Sequence, residues 1–151
     1  MKQVDQILYD AIRADEDLMT AIGGRVVSTC FEVSPTEQDN TPLPNIIVTD
    51  DGFQNLESTK DELWDGCEDR VQAGVDVAAE SPKEVQQLIR MVRRAVQNHV
   101  ILMSDNGEEI PQLLSLTSDG LAWDWLKPCY YQRLTYQCTI NTEQDDEQNE
   151  G

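Results

Sequence analysis

The chain has 151 residues, of which 39% are hydrophobic and 26% are charged, and its formal net charge is −18. This length suits one domain with a moderate core. The acidic balance argues against nucleic-acid phosphates or an anionic membrane as main partners, because both would repel the chain. We expect one domain over residues 1–142 and a disordered tail over residues 143–151, which contain five acidic and no apolar residues.

The first part of the chain predicts helix and then strands. Apolar residues recur at helical spacing over residues 2–22, and Gly23 supplies a C-terminal stop. This helix could break at the polar stretch RADED. A strand is predicted over residues 24–33, and a loop with three prolines (residues 34–44) separates it from a second strand over residues 45–52.

The middle of the chain predicts an acidic excursion, a strand and a second helix. Residues 53–69 are rich in polar and acidic side chains, so we expect a long exposed hairpin or excursion. Residues 70–79 alternate between apolar and polar positions, which is typical of a half-buried strand. Ser81 and Pro82 fit a helix start, and we expect this helix to end near His99.

The last third of the chain predicts strands. A turn is expected over residues 104–109, and strand-like segments over residues 111–120 and 122–128. Residues 129–140 show the clearest alternation in the chain. The order of helix, strands, helix and strands predicts an α+β fold, with a mainly antiparallel sheet and two helices packed on one face.

The second predicted helix carries four of the eleven cationic side chains of the chain. Lys83, Arg90 and Arg94 lie nearly opposite its apolar stripe, and Arg93 lies on the flank. This is the pattern of an ordinary amphipathic helix with a basic solvent face, and it also fits an electrostatic contact with an acidic neighbour. Nucleic acid is a third alternative, but no aromatic residues interleave with the arginines.

An acidic counterpart is present in the same chain. The segment that contains Trp64 is crowded with carboxylates, and burial of this tryptophan by another subunit is as plausible as burial by its own chain. A contact between a basic and an acidic surface joins copies head to tail, and such a contact closes into a ring if the rotation permits. The predicted interface residues are Lys83, Arg90, Arg93, Arg94, Trp64, Asp61, Glu62 and Asp65.

No motif in the sequence indicates an enzyme, a cofactor or a metal site. The glycine-rich nucleotide motifs, the serine-hydrolase motif and the zinc-protease motif are absent. The four cysteines lack CxxC spacing and the chain has one histidine, so we expect isolated reduced thiols. His99 is interpreted as partly buried or as a partner of the helix C-terminus. Trp123 and Trp125 fit core packing or an exposed interface anchor.

Three segments follow one another in a particular order. They are a helix, Gly-Arg and strand (ILYDAIRADEDLMTAIGGRVV), a proline loop and strand (PLPNIIV), and a strand and helix (GVDVAAESPKEVQQLIRMVRRAV). In this order and spacing, over about residues 5–97, they resemble the small tail-completion and tail-terminator proteins of long-tailed bacteriophages and prophages. The long acidic segment 53–69 and the acidic tail depart from the family pattern.

The resemblance implies a non-enzymatic subunit that assembles with its own copies into a ring, commonly a hexamer. Such a ring caps the tail tube at its proper length and joins it to the head, so tail-tube and head–tail connector proteins are the implied partners. DNA would pass only through the lumen. The start of the chain lacks the apolar stretch of a signal peptide and no run is long enough to span a bilayer. We therefore expect a soluble protein of the bacterial cytoplasm that ends in the virion.

Two other functions stay open on sequence alone. The acidity fits an adaptor, or an inhibitor that mimics DNA and binds a basic protein. A carboxylate-based hydrolase would need two acids at catalytic separation in a deep pocket.

Overall fold

The computed structural model describes residues 3–28, 42–56, 68–108, 112–126 and 128–141. The elements in chain order are α1 (Val4–Ala14), α2 (Glu16–Ile22), β1 (Val26–Ser28), β2 (Asn45–Leu56), β3 (Glu68–Ala79), α3 (Pro82–Asp105), β4 (Gln112–Ser118), β5 (Ala122–Asp124) and β6 (Cys129–Asn141). The predicted tail, residues 143–151, and most of the predicted proline loop lie outside the described residues.

The strands form one sheet in the order β1–β2–β3–β6–β4, and β5 pairs with the beginning of β6. The pair β1–β2 is parallel and the other pairs are antiparallel. The predicted α+β class with a mainly antiparallel sheet is therefore confirmed. β6 lies between β3 and β4 although it is the last strand in the chain, so β4 forms the edge beside it.

The core lies between one face of the sheet and the helices. The predicted alternation is confirmed, because Ala73 and Val75 on β3 and Leu134 and Tyr136 on β6 are buried on this face. α1 and α3 pack against the sheet and against each other. The helices contribute the buried residues Val4, Ile7, Leu8, Ile12, Leu18, Ile22, Val85, Leu88, Val92 and Val96.

The first predicted helix breaks at Asp15, inside the stretch RADED. Asp15 has extended backbone angles, and its Oδ1 accepts a hydrogen bond from the Leu18 amide at 2.9 Å. This bond satisfies an amide that would lack a partner at the start of α2. α2 ends at Gly23, whose φ of 65° is the left-handed conformation that glycine tolerates.

The predicted start of α3 is confirmed. Ser81 Oγ accepts a hydrogen bond from the Glu84 amide at 3.2 Å, and Pro82 lies in the first turn. Both features favour helix initiation, because the serine satisfies a free amide and the proline needs none.

The predicted end of α3 near His99 is wrong, because the helix continues to Asp105. Val100 packs against the core and Met103 is buried, so the apolar stripe extends for another turn and a half. The turn expected over residues 104–109 starts only after Asp105. His99 is therefore an interior residue of the helix and cannot serve as a partner of its C-terminus.

The hairpin of β2 and β3 is longer than predicted. The two strands pair from Asn45 and Ala78 as far as Leu56 and Glu68, with an irregularity between Asp50 and Phe53. Of the two alternatives expected over residues 53–69, an exposed hairpin or an excursion, the paired strands at both ends of the segment agree with the hairpin. Pairing satisfies backbone groups even where the side chains are polar, which the apolar pattern does not indicate. Residues 57–67 lie outside the described residues.

The strand predicted over residues 122–128 is wrong in length, since β5 ends at Asp124. Asp124 Oδ1 accepts a hydrogen bond from the Leu126 amide at 3.0 Å. An aspartate that bonds the amide two residues ahead stabilises a turn in place of strand.

Candidate interaction surfaces

The predicted cationic residues all lie on α3 and are exposed. Lys83 lies in the first turn, and Arg90, Arg93 and Arg94 lie in the middle of the helix. The structure therefore separates them into two places along the helix, because Lys83 does not line the groove that the three arginines share.

An open groove of about 540 Å³ lies beside the second half of α3, where the helix crosses β4 and β6. We call it the arginine groove. It is lined by Arg90, Arg93, Arg94, Val96, Gln97, Val100, Ile101, Leu116 and Tyr136. Apolar side chains outnumber polar ones in this set, and the three arginines are the only charged residues in it. The groove can therefore take an apolar group that carries negative charge beside it.

The arginines of the groove have no ion-pair partner within the described part of the chain. Arg94 also lines a smaller depression of about 230 Å³ with Asp15 and Asp17. Among the described residues, no carboxylate lines the groove itself. These three exposed arginines, which have no ion-pair partner in the described ranges, contrast with the charge of −18 of the chain as a whole.

Tyr136 forms part of the groove wall and is 4% exposed. Burial raises the pKa of its hydroxyl to about 12, and the positive charge of Arg93 offsets part of this effect. The ring is thus an uncharged and mostly apolar surface at neutral pH. On the same strand, burial raises the pKa of the Cys138 thiol to about 11, so this cysteine is protonated and unreactive at neutral pH.

The opposite face of the sheet carries a polar cluster around Arg133. Its guanidinium donates hydrogen bonds to Asp76 Oδ2 at 2.9 Å, to Thr49 Oγ1 at 3.0 Å and to Asp51. The guanidinium lies across Gly74, and a Cβ added there would be 2.1 Å from Arg133 Nη2. The glycine thus makes room for the arginine on the sheet surface.

The environment of this cluster raises the pKa of both Asp76 and Arg133, for different reasons. Burial raises the pKa of Asp76 above its ordinary value of 3.8, and the nearby Arg133 offsets only part of the shift. Burial also disfavours the charged form of Arg133, but its hydrogen bond to Asp51 and the charge of Asp76 outweigh this, and its pKa is raised. Asp76 and Arg133 are directly opposite each other in the register of β3 and β6. The cluster holds three central strands together through side chains.

An exposed aromatic corner lies at the β5 end of the sheet edge. Trp125 and Leu126 are 83% and 99% exposed, so core packing of the tryptophan pair is wrong for Trp125. Trp123 is partly exposed and packs edge to face against Trp125 at 5.8 Å and Tyr130 at 4.7 Å between ring centroids. Trp125 and Leu126 are exposed because the turn after β5 directs the chain away from the core.

The predicted acidic half of the interface, Asp61, Glu62, Trp64 and Asp65, lies outside the described residues. The structure thus neither brings it to the arginines nor separates the two. The sequence pattern predicts the basic face of α3 but indicates neither the apolar floor of the groove nor the Arg133 cluster. Both depend on which strands are neighbours, and the sequence does not give that order.

The described residues contain no group of three or more histidine, cysteine, aspartate or glutamate side chains that could hold a metal ion. None of the helices in these ranges combines the length and the hydrophobicity needed to cross a bilayer. Two buried nitrogens in the same ranges lack a hydrogen-bond partner, namely His99 Nε2 and Arg70 Nε.

Comparison with known proteins does not assign the chain to a family. No protein-family model matches the chain, and no curated protein matches it. A chain from the virion of a native gene transfer agent particle is 14% identical, with a TM-score of 0.44, and the match covers 91% of this chain and 93% of that chain. A similarity of this size establishes neither a shared fold nor a shared function.

Proposed function

We propose that this chain is a structural subunit of a bacteriophage or prophage particle, and that it acts as a tail terminator. Copies associate side to side into a ring that caps the tail tube and joins it to the head. By analogy with the family that the sequence resembles, this ring is a hexamer. The function is geometric and requires no catalytic residue or cofactor. The folded unit is the domain over residues 1–142, made in the bacterial cytoplasm and carried in the virion.

The observation that carries this proposal is a set of three arginines that line an apolar groove of a strongly acidic chain and have no ion-pair partner in the part of the chain that the structure describes. The groove holds three of the eleven cationic residues of the chain, so it attracts an acidic surface, and another copy is the nearest source of one. The order of segments over residues 5–97 supports the choice of a tail protein. The conclusion is independent of the gene transfer agent structure.

A ring also has to stop further addition of subunits. The end of a tail tube exposes subunit surfaces that still lack a partner. A ring that matches this end with one of its faces, and presents a different surface on the other, stops polymerisation. The interface residues Lys83, Arg90, Arg93 and Arg94, with Asp61, Glu62, Trp64 and Asp65 of the next copy, would join neighbours. The acidic tail at the rim would repel further acidic subunits, and a lumen lined by carboxylates would let DNA pass without binding.

Charge reversal tests the proposed assembly. We expect the double substitution Arg90→Glu and Arg94→Glu to weaken self-association by about tenfold or more, because each reversal replaces attraction by repulsion at the interface. Light scattering at moderate salt measures the change. Assembly that is unchanged by the double substitution would reject the role of α3.

The neighbouring genes test the choice of particle. A tail terminator is expected to be encoded beside a major tail protein and a tape-measure protein. Isolated subunits of such rings can be monomers, so the assembly measurement should include tail tubes made from those neighbours. A monomer that ignores the tubes and binds a basic protein tightly would instead favour the inhibitor function.

A further inference from the structure

We propose that the arginine groove binds the acidic Leu63–Trp64 segment of a second copy of this chain. The inference rests on the proposed side-to-side assembly and adds to it the two surfaces that meet. It also assigns a ligand class to the groove, namely a short peptide with a large apolar anchor between carboxylates.

The groove selects for both properties of such a peptide. Its floor is apolar, with Val100, Ile101 and Leu116 beside the uncharged ring of Tyr136. Three arginines of α3 line the same groove, and guanidinium groups pair with carboxylates and stack on aromatic rings. Its volume of about 540 Å³ is within the range of roughly 300–1,000 Å³ that is common for small-ligand pockets.

The groove also continues along the edge of the sheet. A depression of about 210 Å³ adjoins it and shares Arg93 and Leu116 with it. Its other lining includes Ser118 and Gln132, which offer polar contacts. An extended peptide can therefore cover both, with its anchor over the apolar floor and its backbone over the polar part.

The segment between β2 and β3 has the complementary chemistry. Its sequence over residues 61–65 is Asp-Glu-Leu-Trp-Asp, which places two large apolar side chains between three carboxylates. Two other acidic segments lie outside the described residues. Segment 143–151 has no apolar residue and could not use the floor of the groove, and segment 29–41 has three carboxylates but no tryptophan. Tryptophan is also a frequent anchor of interfaces, because it buries a large area with few rotatable bonds.

The order of the strands favours a second copy over the same chain. The acidic segment connects β2 and β3, and β3 lies on the opposite side of β6 from β4, which contributes Leu116 to the groove. Binding within one chain would have to pass across β6, whereas a second copy can approach the open groove from solvent.

Binding of a labelled peptide tests the site directly. The probe is a synthetic peptide of residues 57–66 with a fluorophore at its N-terminus, titrated with the full chain and followed by fluorescence anisotropy. We expect saturable binding that weakens as salt is raised, because exposed charges are screened. The Trp64→Ala peptide should bind at least about tenfold more weakly, since it loses the anchor.

Two pairs of protein variants separate the site from general effects. Arg90→Glu with Arg94→Glu should weaken peptide binding by about tenfold. Arg13→Glu changes an exposed cation on α1 that does not line the groove, and it should leave peptide binding unchanged. Ile101→Ser should weaken it by about fivefold, whereas Leu102→Ser changes the next residue, which is equally exposed and does not line the groove. Equal effects within either pair would overturn the proposal.

The outcomes also distinguish this inference from the proposed function. A protein that assembles into rings but does not bind the peptide overturns the groove–segment contact and leaves the ring standing. The chain could instead bind the peptide but stay monomeric even in the presence of tail tubes. That result would show that the groove does not join copies, and it would overturn the proposal that a second copy occupies the groove. Binding in both assays, reduced by the same two groove variants, is the result that we expect.

Discussion

Arg133 and Tyr136 lie three residues apart on β6 and face opposite sides of the sheet. Tyr136 faces the helices, where burial keeps its hydroxyl protonated and makes it part of an apolar groove wall. Arg133 faces the other side, where it bonds side chains from β2 and β3. The alternation of a strand thus gives one surface suited to a neighbour and one that ties strands together.

The raised pKa of Tyr136 predicts a loss of stability in alkali. Its value of about 12 in the folded protein exceeds the ordinary value of 10.0, so the folded state binds this proton more tightly than the unfolded state. The stabilisation is complete below pH 10 and is lost as the pH rises through about 12. We expect the unmodified protein to gain tyrosinate absorbance at about pH 12, and we expect Tyr136→Phe to lack this step. If the step that Tyr136→Phe lacks were centred near pH 10, the burial of this ring would be contradicted.

The Arg133 cluster predicts a coupled titration. The pKa of Asp76 should lie above 3.8, and it should rise further in Arg133→Met, because the substitution removes the charge that offsets burial. Below this raised pKa and above 3.8 the folded state binds more protons than the unfolded state, so stability falls as the pH rises through that window. NMR titration of the carboxyl carbons measures the shift, with Asp76→Asn identifying the signal. An unchanged pKa in Arg133→Met would show that the two groups do not interact.

At the scale of the elements, α3 combines a structural and a proposed binding role. One side of it is buried against the sheet, and its second half bears the arginines of the groove. Its length matters for both, because Val100 and Ile101, which line the groove, lie beyond the end that the sequence predicted. The serine cap at its start helps to fix the helix, and thereby the position of the arginines.

Loss of the cap should lower stability without altering the groove. Ser81→Ala removes the hydrogen bond to the Glu84 amide, and we expect a cost of about 1 kcal/mol. For a chain of this size, that corresponds to a fall in melting temperature of about 2–4 °C. The matched control is Ser104→Ala, which makes the same change at an exposed position near the other end of α3 and should not lower the melting temperature. Equal losses in both variants would contradict the role of the cap.

The sequence predicted the helices and strands better than it predicted which strands lie next to each other in the sheet. The capped start of α3, the break at Asp15 and the alternation of β3 and β6 all follow from local chemistry, which short segments encode. The placement of β6 between β3 and β4 depends on contacts far apart in sequence, and no local pattern specifies it. For this reason the arginines could be predicted as a basic face, whereas the floor that Leu116 and Tyr136 give them could not.

At the scale of the whole molecule, charge is distributed unevenly. The described core accounts for the fold with helices on one face of one sheet, while nine of the 29 acidic residues lie in the short segments 57–67 and 143–151. We expect deletion of residues 143–151 to leave the melting temperature unchanged, because this tail has no apolar side chain to bury. Thermal unfolding followed by circular dichroism checks this. A fall of more than about 5 °C would show that the tail stabilises the domain.

The central claim is that copies of this chain join through the arginine groove and the acidic segment. Reversing the charge of the groove in one variant and of the segment in another tests this claim most directly. One variant carries Arg90→Glu and Arg94→Glu, and a second carries Asp61→Lys, Glu62→Lys and Asp65→Lys. Sedimentation velocity under conditions where the unmodified chain assembles should show that each variant alone fails to assemble. A mixture of the two should regain association, because the reversed groove of one now matches the reversed segment of the other. Two variants that assemble alone as well as the unmodified chain does, or a mixture that stays as dissociated as its components, would contradict the account.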